Sequence, residues 1–192
     1  MSVLPSPSDP VLNVVWVVDG DHSFWDALTW VDPFGTTTVK VYNVYDVVSA
    51  CQNAKITYSI PVDYLVVFGH GQGGYQSVGA GKKLEGTGTK SFRYRPVSLR
   101  GESLLEGPAE KALTALNGVL ADEAQILLAG CNVGEGDLGT GLLTTVSNIL
   151  GGRSVKAFEN AVYWWTSYMV GYLKEAQGDS VTSSLSSIKL LI

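Results

Sequence analysis

The chain has 192 residues, 45% hydrophobic and 16% charged, so it is long and apolar enough to bury a substantial core. Its net charge of -5 argues against general nucleic-acid binding, which needs a broad basic face. Two cysteines are too few for the disulfide framework of a small secreted domain. The first ten residues lack the basic region of a secretory signal, and the apolar run at 11–18 is shorter than a membrane span. We therefore expect a cytoplasmic protein that binds neither nucleic acid nor membrane.

The first half of the chain predicts short strands separated by loops. Runs of β-branched and apolar residues predict strands at 11–18, 37–45 and 64–68. Between the last two strands we expect a short helix over 46–54, with Asp46 as its N-cap. Residues 69–88 contain too much glycine for a stable helix. The alternation of polar and apolar residues over 91–99 predicts a strand or one arm of a hairpin.

The second half of the chain alternates predicted helices with predicted strands. Their order is helix 108–120, strand 125–129, helix 138–150 and strand 155–158. An aromatic stretch over 160–175 predicts a packed helix, and a Ser-rich tail follows from Gly178. Strands joined through helices predict right-handed crossovers and a mostly parallel sheet with helices on both faces. We therefore predict a flexible lead at 1–10 and a single α/β domain over 11–192.

Two of the predicted strands end at reactive side chains. One is followed by Gly-His70-Gly71 and the other by Gly-Cys131. Functional sites in parallel sheets gather at the carboxyl ends of the strands, so we expect His70 and Cys131 to meet across one crevice. There the imidazole can take the thiol proton, and the N–H groups of Gly71 and Cys131 are candidate donors to an oxyanion. A lone cysteine is more often structural, which is our expectation for Cys51.

The two strand endings also resemble a known family. An apolar block followed by His70-Gly71, and a second block that ends in Ala-Gly-Cys131, is similar to the pattern of caspase-like cysteine peptidases. This family includes caspases, metacaspases, gingipain- and clostripain-type enzymes, separases and bacterial toxin self-processing domains. The order of elements resembles the family over roughly residues 11–158. The form Leu-Leu-Ala-Gly-Cys-Asn is most similar to the toxin self-processing domains and related bacterial caspase-like domains.

The resemblance implies a caspase-like three-layer sandwich and a cysteine endopeptidase, a hydrolase that works through a thioester acyl-enzyme. In the family pattern, His70 corresponds to the general acid-base and Cys131 to the nucleophile, while Gly71 and Cys131 supply the oxyanion hole. The implied substrate is a protein or peptide that binds extended along a strand edge. This chemistry requires no cofactor and no metal ion.

Two positions bear on which substrate side chain the family resemblance implies before the scissile bond. Ala129 lies two residues before the nucleophile, where caspases carry Gln and Arg- or Lys-cleaving relatives often carry Asp. A small apolar residue there favours a small or apolar side chain before the scissile bond. Asp19 follows the first predicted strand, in a region from which relatives often supply a specificity residue, so a basic side chain at that substrate position stays open. Asp19 and Ala129 are the predicted substrate-binding residues.

A basic segment between the two strand endings suggests an activator. Its cations are Lys82, Lys83, Lys90, Arg93, Arg95 and Arg100. The simpler interpretation is a solvated hairpin. The alternative is a flap that binds an anionic or protein activator, because toxin self-processing domains use a basic site and an inositol phosphate to order their active site.

The sequence also leaves alternatives to a peptidase. The strongest is a non-catalytic caspase-like interaction module, in which a groove lined by tryptophans binds a peptide by strand addition. The tryptophans concerned are Trp25, Trp30, Trp164 and Trp165, for which ordinary core packing is the simpler role. The two histidines and two cysteines lack the spacing of zinc ligands, and His22 is expected to be solvated. The glycines around His70 fit a dinucleotide fingerprint only weakly, because no helix follows them, and an esterase is disfavoured because no GxSxG elbow is present.

Overall fold

The structure is a computed structural model, and it describes residues 12–20, 37–78, 91–94, 105, 107–161 and 168–189. Its elements are β1 (Val14–Asp19), β2 (Thr37–Val41), α1 (Val44–Tyr58), β3 (Val62–Phe68), β4 (Gly71–Gln72), β5 (Tyr75–Ser77), β6 (Ser91–Arg93), α2 (Gly107–Leu116), β7 (Leu120–Leu128), α3 (Gly136–Ile149), β8 (Ser154–Phe158), β9 (Tyr168–Gln177) and β10 (Ser180–Lys189). None of the helices in this described part is both long and apolar enough to cross a membrane.

Within the described residues, the central sheet has seven strands in the order β10-β9-β8-β7-β3-β1-β2. The five strands β2, β1, β3, β7 and β8 run parallel to one another. At the other end, β9 and β10 are antiparallel to their neighbours. Buried parallel strands need nearly continuous apolar runs, which is the pattern seen in β1, β3 and the second half of β7. The prediction of an α/β fold with a mostly parallel sheet is therefore confirmed.

The three helices of the described residues all pack on one face of this sheet. They share a single apolar cluster with inward-facing strand residues such as Val17, Val67 and Ile126. Three successive crossovers, which run from β2 to β3, from β3 to β7 and from β7 to β8, progress in the same direction along the sheet. Because such crossovers share the right-handed preference of parallel strand connections, their helices are expected on the same side. The opposite face carries a smaller cluster that includes Phe68 and Phe158, to which none of the described helices contributes. The predicted helices on both faces are thus found on one face only among the described residues.

The start of α1 differs from the prediction. Asn43 is the N-cap, and its side-chain oxygen accepts hydrogen bonds from the N–H groups of Tyr45 at 2.9 Å and Asp46 at 3.1 Å. Asp46, predicted as the cap, lies one turn inside, where its carboxylate accepts from the N–H of Tyr42 at 2.8 Å. The Asp46 carboxylate also accepts from the side-chain nitrogen of Asn43 at 3.0 Å. Asn43 thus caps the first turn and Asp46 holds the chain just before it, which explains why the helix begins earlier than expected.

The glycine-rich segment after β3 forms part of a second sheet. Strands β4, β5 and β6 are antiparallel, in that order. Gly74, with φ of 73°, makes the tight turn between β4 and β5. Its N–H donates to the carbonyl of Val133 at 3.1 Å, so the small sheet rests on the loop that follows β7. Glycine content gave no indication of these short strands.

The predicted helix over 160–175 is wrong, because its second half is the strand β9. Leu173 and Ala176 are buried while Tyr172 and Gln177 are exposed, and the strand pairs along its whole length with β10. A short apolar stretch is ambiguous between helix and strand by periodicity alone. The hairpin signal was the dipeptide Gly178-Asp179, in which Gly178 adopts a φ of 58° between the paired residues of β9 and β10.

Candidate active site at the carboxyl edge of the sheet

The strands that precede His70 and Cys131 are neighbours. β3 and β7 pair in parallel with Val67 opposite Leu128. The last hydrogen bond between them runs from the N–H of Ala129 to the carbonyl of Val67 at 2.8 Å. His70 and Cys131 therefore leave the sheet at the same edge, as expected for successive parallel strands.

Beyond the sheet, the two chain segments touch at glycines. A β-carbon added to Gly71 would lie 2.6 Å from the carbonyl oxygen of Cys131, and one added to Gly130 would lie 2.9 Å from the α-carbon of Gly71. Such distances leave no room for a side chain, so glycine is required for the backbones to approach. The residue next to His70 in the chain is therefore packed directly against the residue that carries the thiol.

The two cysteines have different environments. Cys131 is half-buried, and its side chain packs against the smaller apolar cluster. His70 is exposed to solvent. Cys51, in contrast, is completely buried within α1, and burial raises the pKa of its thiol to about 12. Only Cys131 combines solvent access with a nearby imidazole residue, and the prediction of Cys51 as a core residue is confirmed.

A sharp turn carries the chain away from Cys131. Asn132 adopts a left-handed conformation with φ of 59°, which Asn tolerates better than most side chains. Its N–H donates to the carbonyl of Asn160 at 3.1 Å, and the N–H of Gly134 donates to the carbonyl of Phe158 at 2.8 Å. These bonds fasten the Cys131 loop to the end of β8 before α3 begins at Gly136.

The amide of Gly71 has a defined direction. The N–H of Ser77 donates to the carbonyl of His70 at 2.8 Å, so His70 and Ser77 form a hydrogen-bonded pair. In an antiparallel ladder the next pair, Gly71 and Gln76, directs its amides outward. The N–H of Gly71 thus points away from β5, at the edge strand of the small sheet that borders Cys131.

Two consecutive residues of β5 form hydrogen bonds to the segments that carry His70 and Cys131. Ser77 accepts a hydrogen bond from the N–H of His70 at 2.8 Å, and its hydroxyl donates to Asp19 at 2.6 Å. Gln76 accepts from the N–H of Gly130 at 2.8 Å. Sequence reasoning missed both residues. Their partners are 54 and 58 positions away in the chain, so no local pattern indicates the contacts.

The two residues predicted to bind substrate are both buried, each with 1% of its surface exposed. Asp19 is the last residue of β1, and its carboxylate accepts the internal hydrogen bond from Ser77. Ala129 belongs to the smaller apolar cluster beneath the edge. The structure therefore gives Asp19 an internal role, and direct contact of either side chain with a substrate stays a prediction.

Other predicted residues fall largely outside the described part of the chain. Those outside it are His22, Trp25, Trp30, Lys82, Lys83, Lys90, Arg95, Arg100, Trp164 and Trp165. Of the basic segment the structure describes Arg93, which is exposed on β6 with its guanidinium 5.2 Å from the centre of the Tyr75 ring. The activator hypothesis stays a prediction.

Within the described ranges, no group of three or more His, Cys, Asp or Glu side chains is arranged to hold a metal ion. The resemblance to caspase-like peptidases depends on the His-Gly and Gly-Cys endings and on the order of the elements. Comparisons with protein-family models, curated proteins and solved structures gave no match.

Proposed function

We propose that this protein is a caspase-like cysteine endopeptidase, with Cys131 as the nucleophile and His70 as the general acid-base. The observation that carries the proposal is the packing of Gly71 against Gly130 and Cys131, which leaves room for no side chain. It sets an exposed imidazole residue beside a half-buried thiol at one edge of the sheet. This combination of a cysteine and an adjacent base is the usual requirement for an activated thiolate.

The reaction follows from these two groups. An imidazole nitrogen of His70 takes the thiol proton, and the sulfur of Cys131 bonds to the carbonyl carbon of the scissile peptide. The tetrahedral intermediate expels the amine, which receives the proton from His70, and a thioester remains. Water then gives a proton to His70 and attacks the thioester, and the carbon–sulfur bond breaks to return the thiol and release an acid.

The developing negative charge on the substrate oxygen needs donors. The N–H of Gly71 supports this role, because the ladder alternation directs it away from β5 at the edge next to Cys131. The N–H of Cys131 is the proposed second donor. Both are backbone groups fixed by surrounding structure, which is the arrangement that favours electrostatic preorganisation.

The topology of the sheet supports the same location for the site. The caspase-like three-layer sandwich stays a prediction, because the helices of the described residues lie on one face of the sheet. The chain passes outward from β1 to β2 on one side, and from β3 to β7 and β8 on the other. Open α/β sheets form their sites where this direction reverses, which here is the edge next to β1 and β3. An extended peptide substrate, an anionic or protein activator and a cytoplasmic location stay predictions from the sequence.

The dyad can be tested by thiol labelling. Iodoacetamide at neutral pH should modify Cys131 well before Cys51, and His70→Ala should slow the reaction at Cys131 about tenfold or more. Peptide mass mapping assigns the label to each cysteine, and denatured protein provides the control in which both react alike. Equal labelling of the two cysteines in folded protein, or labelling unaffected by His70→Ala, would favour the non-catalytic interaction module.

A further inference from the structure

Gln76 and Ser77 of β5 are adjacent polar residues with no exposed surface. Buried polar side chains are normally found where their hydrogen bonds are needed. Ser77 accepts from the backbone amide of His70 itself, and Gln76 accepts from the amide of Gly130, the residue before Cys131. One short strand therefore contacts both halves of the site.

Ser77 holds the backbone of His70 at two points. Its N–H donates to the His70 carbonyl at 2.8 Å, and its hydroxyl oxygen accepts from the His70 N–H, also at 2.8 Å. The same hydroxyl donates its proton to the buried carboxylate of Asp19 at 2.6 Å. Asp19 thereby orients the hydroxyl so that its lone pair faces the amide of His70. These hydrogen bonds connect the last residue of β1 to His70, the second residue after β3.

Gln76 holds the segment that carries the thiol. Its side-chain oxygen accepts from the N–H of Gly130 at 2.8 Å, while its side-chain nitrogen donates to the carbonyl of Ser77 at 3.0 Å. Both ends of the amide are thus engaged, which fixes its orientation. The residue before Cys131 is thus hydrogen-bonded to the same strand that holds His70.

We infer that Gln76 and Ser77 are positioning residues that set the separation between His70 and Cys131, an inference that rests on the proposed function. The parallel ladder between β3 and β7 ends before either dyad residue, so their relative placement depends on contacts beyond the sheet. β5 supplies such contacts to both. Displacements of about 1 Å in a reacting group can cost roughly 100-fold in rate, so a shared support of this kind controls reactivity.

The test uses Ser77→Ala and Gln76→Met with Ser147→Ala as the matched control. Ser147 is equally buried, donates to the carbonyl of Arg153 at 2.7 Å and accepts from the N–H of Gly178 at 2.8 Å, but lies at the far end of α3. For each variant we would measure the melting temperature and the rate of iodoacetamide labelling of Cys131 against pH. His70→Ala provides the reference profile of a site without its base.

All three variants should melt at lower temperature than the wild type. Ser77→Ala and Gln76→Met should also slow labelling of Cys131 by roughly 10- to 100-fold and change its pH profile towards that of His70→Ala. Ser147→Ala should keep the wild-type rate and profile. Gln76→Glu retains a side-chain oxygen that can accept from the N–H of Gly130, so it should slow the labelling of Cys131 less than Gln76→Met does.

Wild-type labelling and pH profiles in both β5 variants would overturn the inference and leave the proposed dyad standing. If the wild type itself shows no His70-dependent labelling, the proposed function fails and the positioning role with it. Should Ser77→Ala not fold, because it removes a hydrogen-bond donor from the buried carboxylate of Asp19, Gln76→Met leaves that hydrogen bond in place and decides the question alone.

Discussion

Gly71 lies against Cys131 so closely that a β-carbon on Gly71 would be 2.6 Å from the Cys131 carbonyl oxygen. This contact joins the segment after β3 to the segment after β7, at the edge where the sheet itself has ended. The proposed chemistry depends on it, because the general base and the nucleophile lie on separate segments.

Gly71→Ala should therefore damage the site more than the fold. The added methyl group must displace the Cys131 carbonyl or the Val133 side chain, at a cost of about 1–3 kcal/mol in the free energy of unfolding. We expect labelling of Cys131 to slow at least about tenfold. Gly118→Ala is the control, since a β-carbon there would meet nothing within 4 Å. A Gly71→Ala protein in which Cys131 is labelled at the wild-type rate would show that this contact does not determine the relative position of His70 and Cys131.

Much of the central sheet could be predicted, because β1, β3 and the second half of β7 are mainly apolar and buried runs of strand length. β8 is a shorter run whose apolar residues are buried. The meeting of His70 and Cys131 at one edge also followed from the rule that parallel strands end together. Both predictions use information contained within single segments of the chain.

The parts that could not be predicted depend on contacts between distant segments. The short strands β4 and β5 are held by pairing and by the Cys131 loop, not by their own propensity. The hydrogen bond from the hydroxyl of Ser77 to Asp19 joins residues 58 positions apart, so no local pattern indicated it. The strand β9 depends on its partner β10, which the Ser-rich tail did not suggest.

The buried thiol of Cys51 predicts a specific dependence of stability on alkaline pH. Its pKa is raised from 9.0 to about 12 in the folded protein because burial disfavours the thiolate. Between these values the unfolded chain has lost the proton and the folded chain retains it, so stability falls as pH rises, by about 1.4 kcal/mol per pH unit.

Urea unfolding of the wild type and Cys51→Ala at pH 8 and pH 10.5 measures this effect. The free energy of unfolding should fall more steeply with pH in the wild type than in Cys51→Ala, because other groups that titrate in this range are common to both proteins. Parallel pH dependences would mean that the Cys51 thiol is accessible to water.

A carboxylate after β8 predicts a second pH dependence, on the acid side. Burial acts to raise the pKa of Glu159, but the hydrogen bonds from Ser183 and Lys174 and the charge of Lys174 outweigh it, so the pKa is lowered from 4.5. Lys174 is itself buried and lies 3.0 Å from Glu159. The pair therefore stabilises the fold above about pH 4.5, and this contribution is lost as pH falls through the folded pKa.

Glu159→Gln should lower the free energy of unfolding by about 1–3 kcal/mol at pH 7, because it leaves the buried ammonium of Lys174 without its counter-ion. The difference from wild type should shrink as pH falls below 4.5 and through the lowered pKa of Glu159, because the carboxylate then becomes protonated. Glu123→Gln, which alters an exposed carboxylate on β7, is the control and should change stability by less than about 0.5 kcal/mol. If the loss of unfolding free energy in Glu159→Gln were the same at every pH, the ion pair with Lys174 would not be its cause.

The most direct test of the proposed peptidase is cleavage of a diverse peptide library, followed by mass spectrometry, with wild type, Cys131→Ala, His70→Ala and Cys51→Ala compared at equal concentration. We predict that the wild type and Cys51→Ala cut a common set of peptides. Loss of either dyad residue should reduce the rate by about 10,000-fold or more. Folded wild-type protein that cuts no peptide, or that cuts the same peptides when Cys131 or His70 is replaced, would contradict the account.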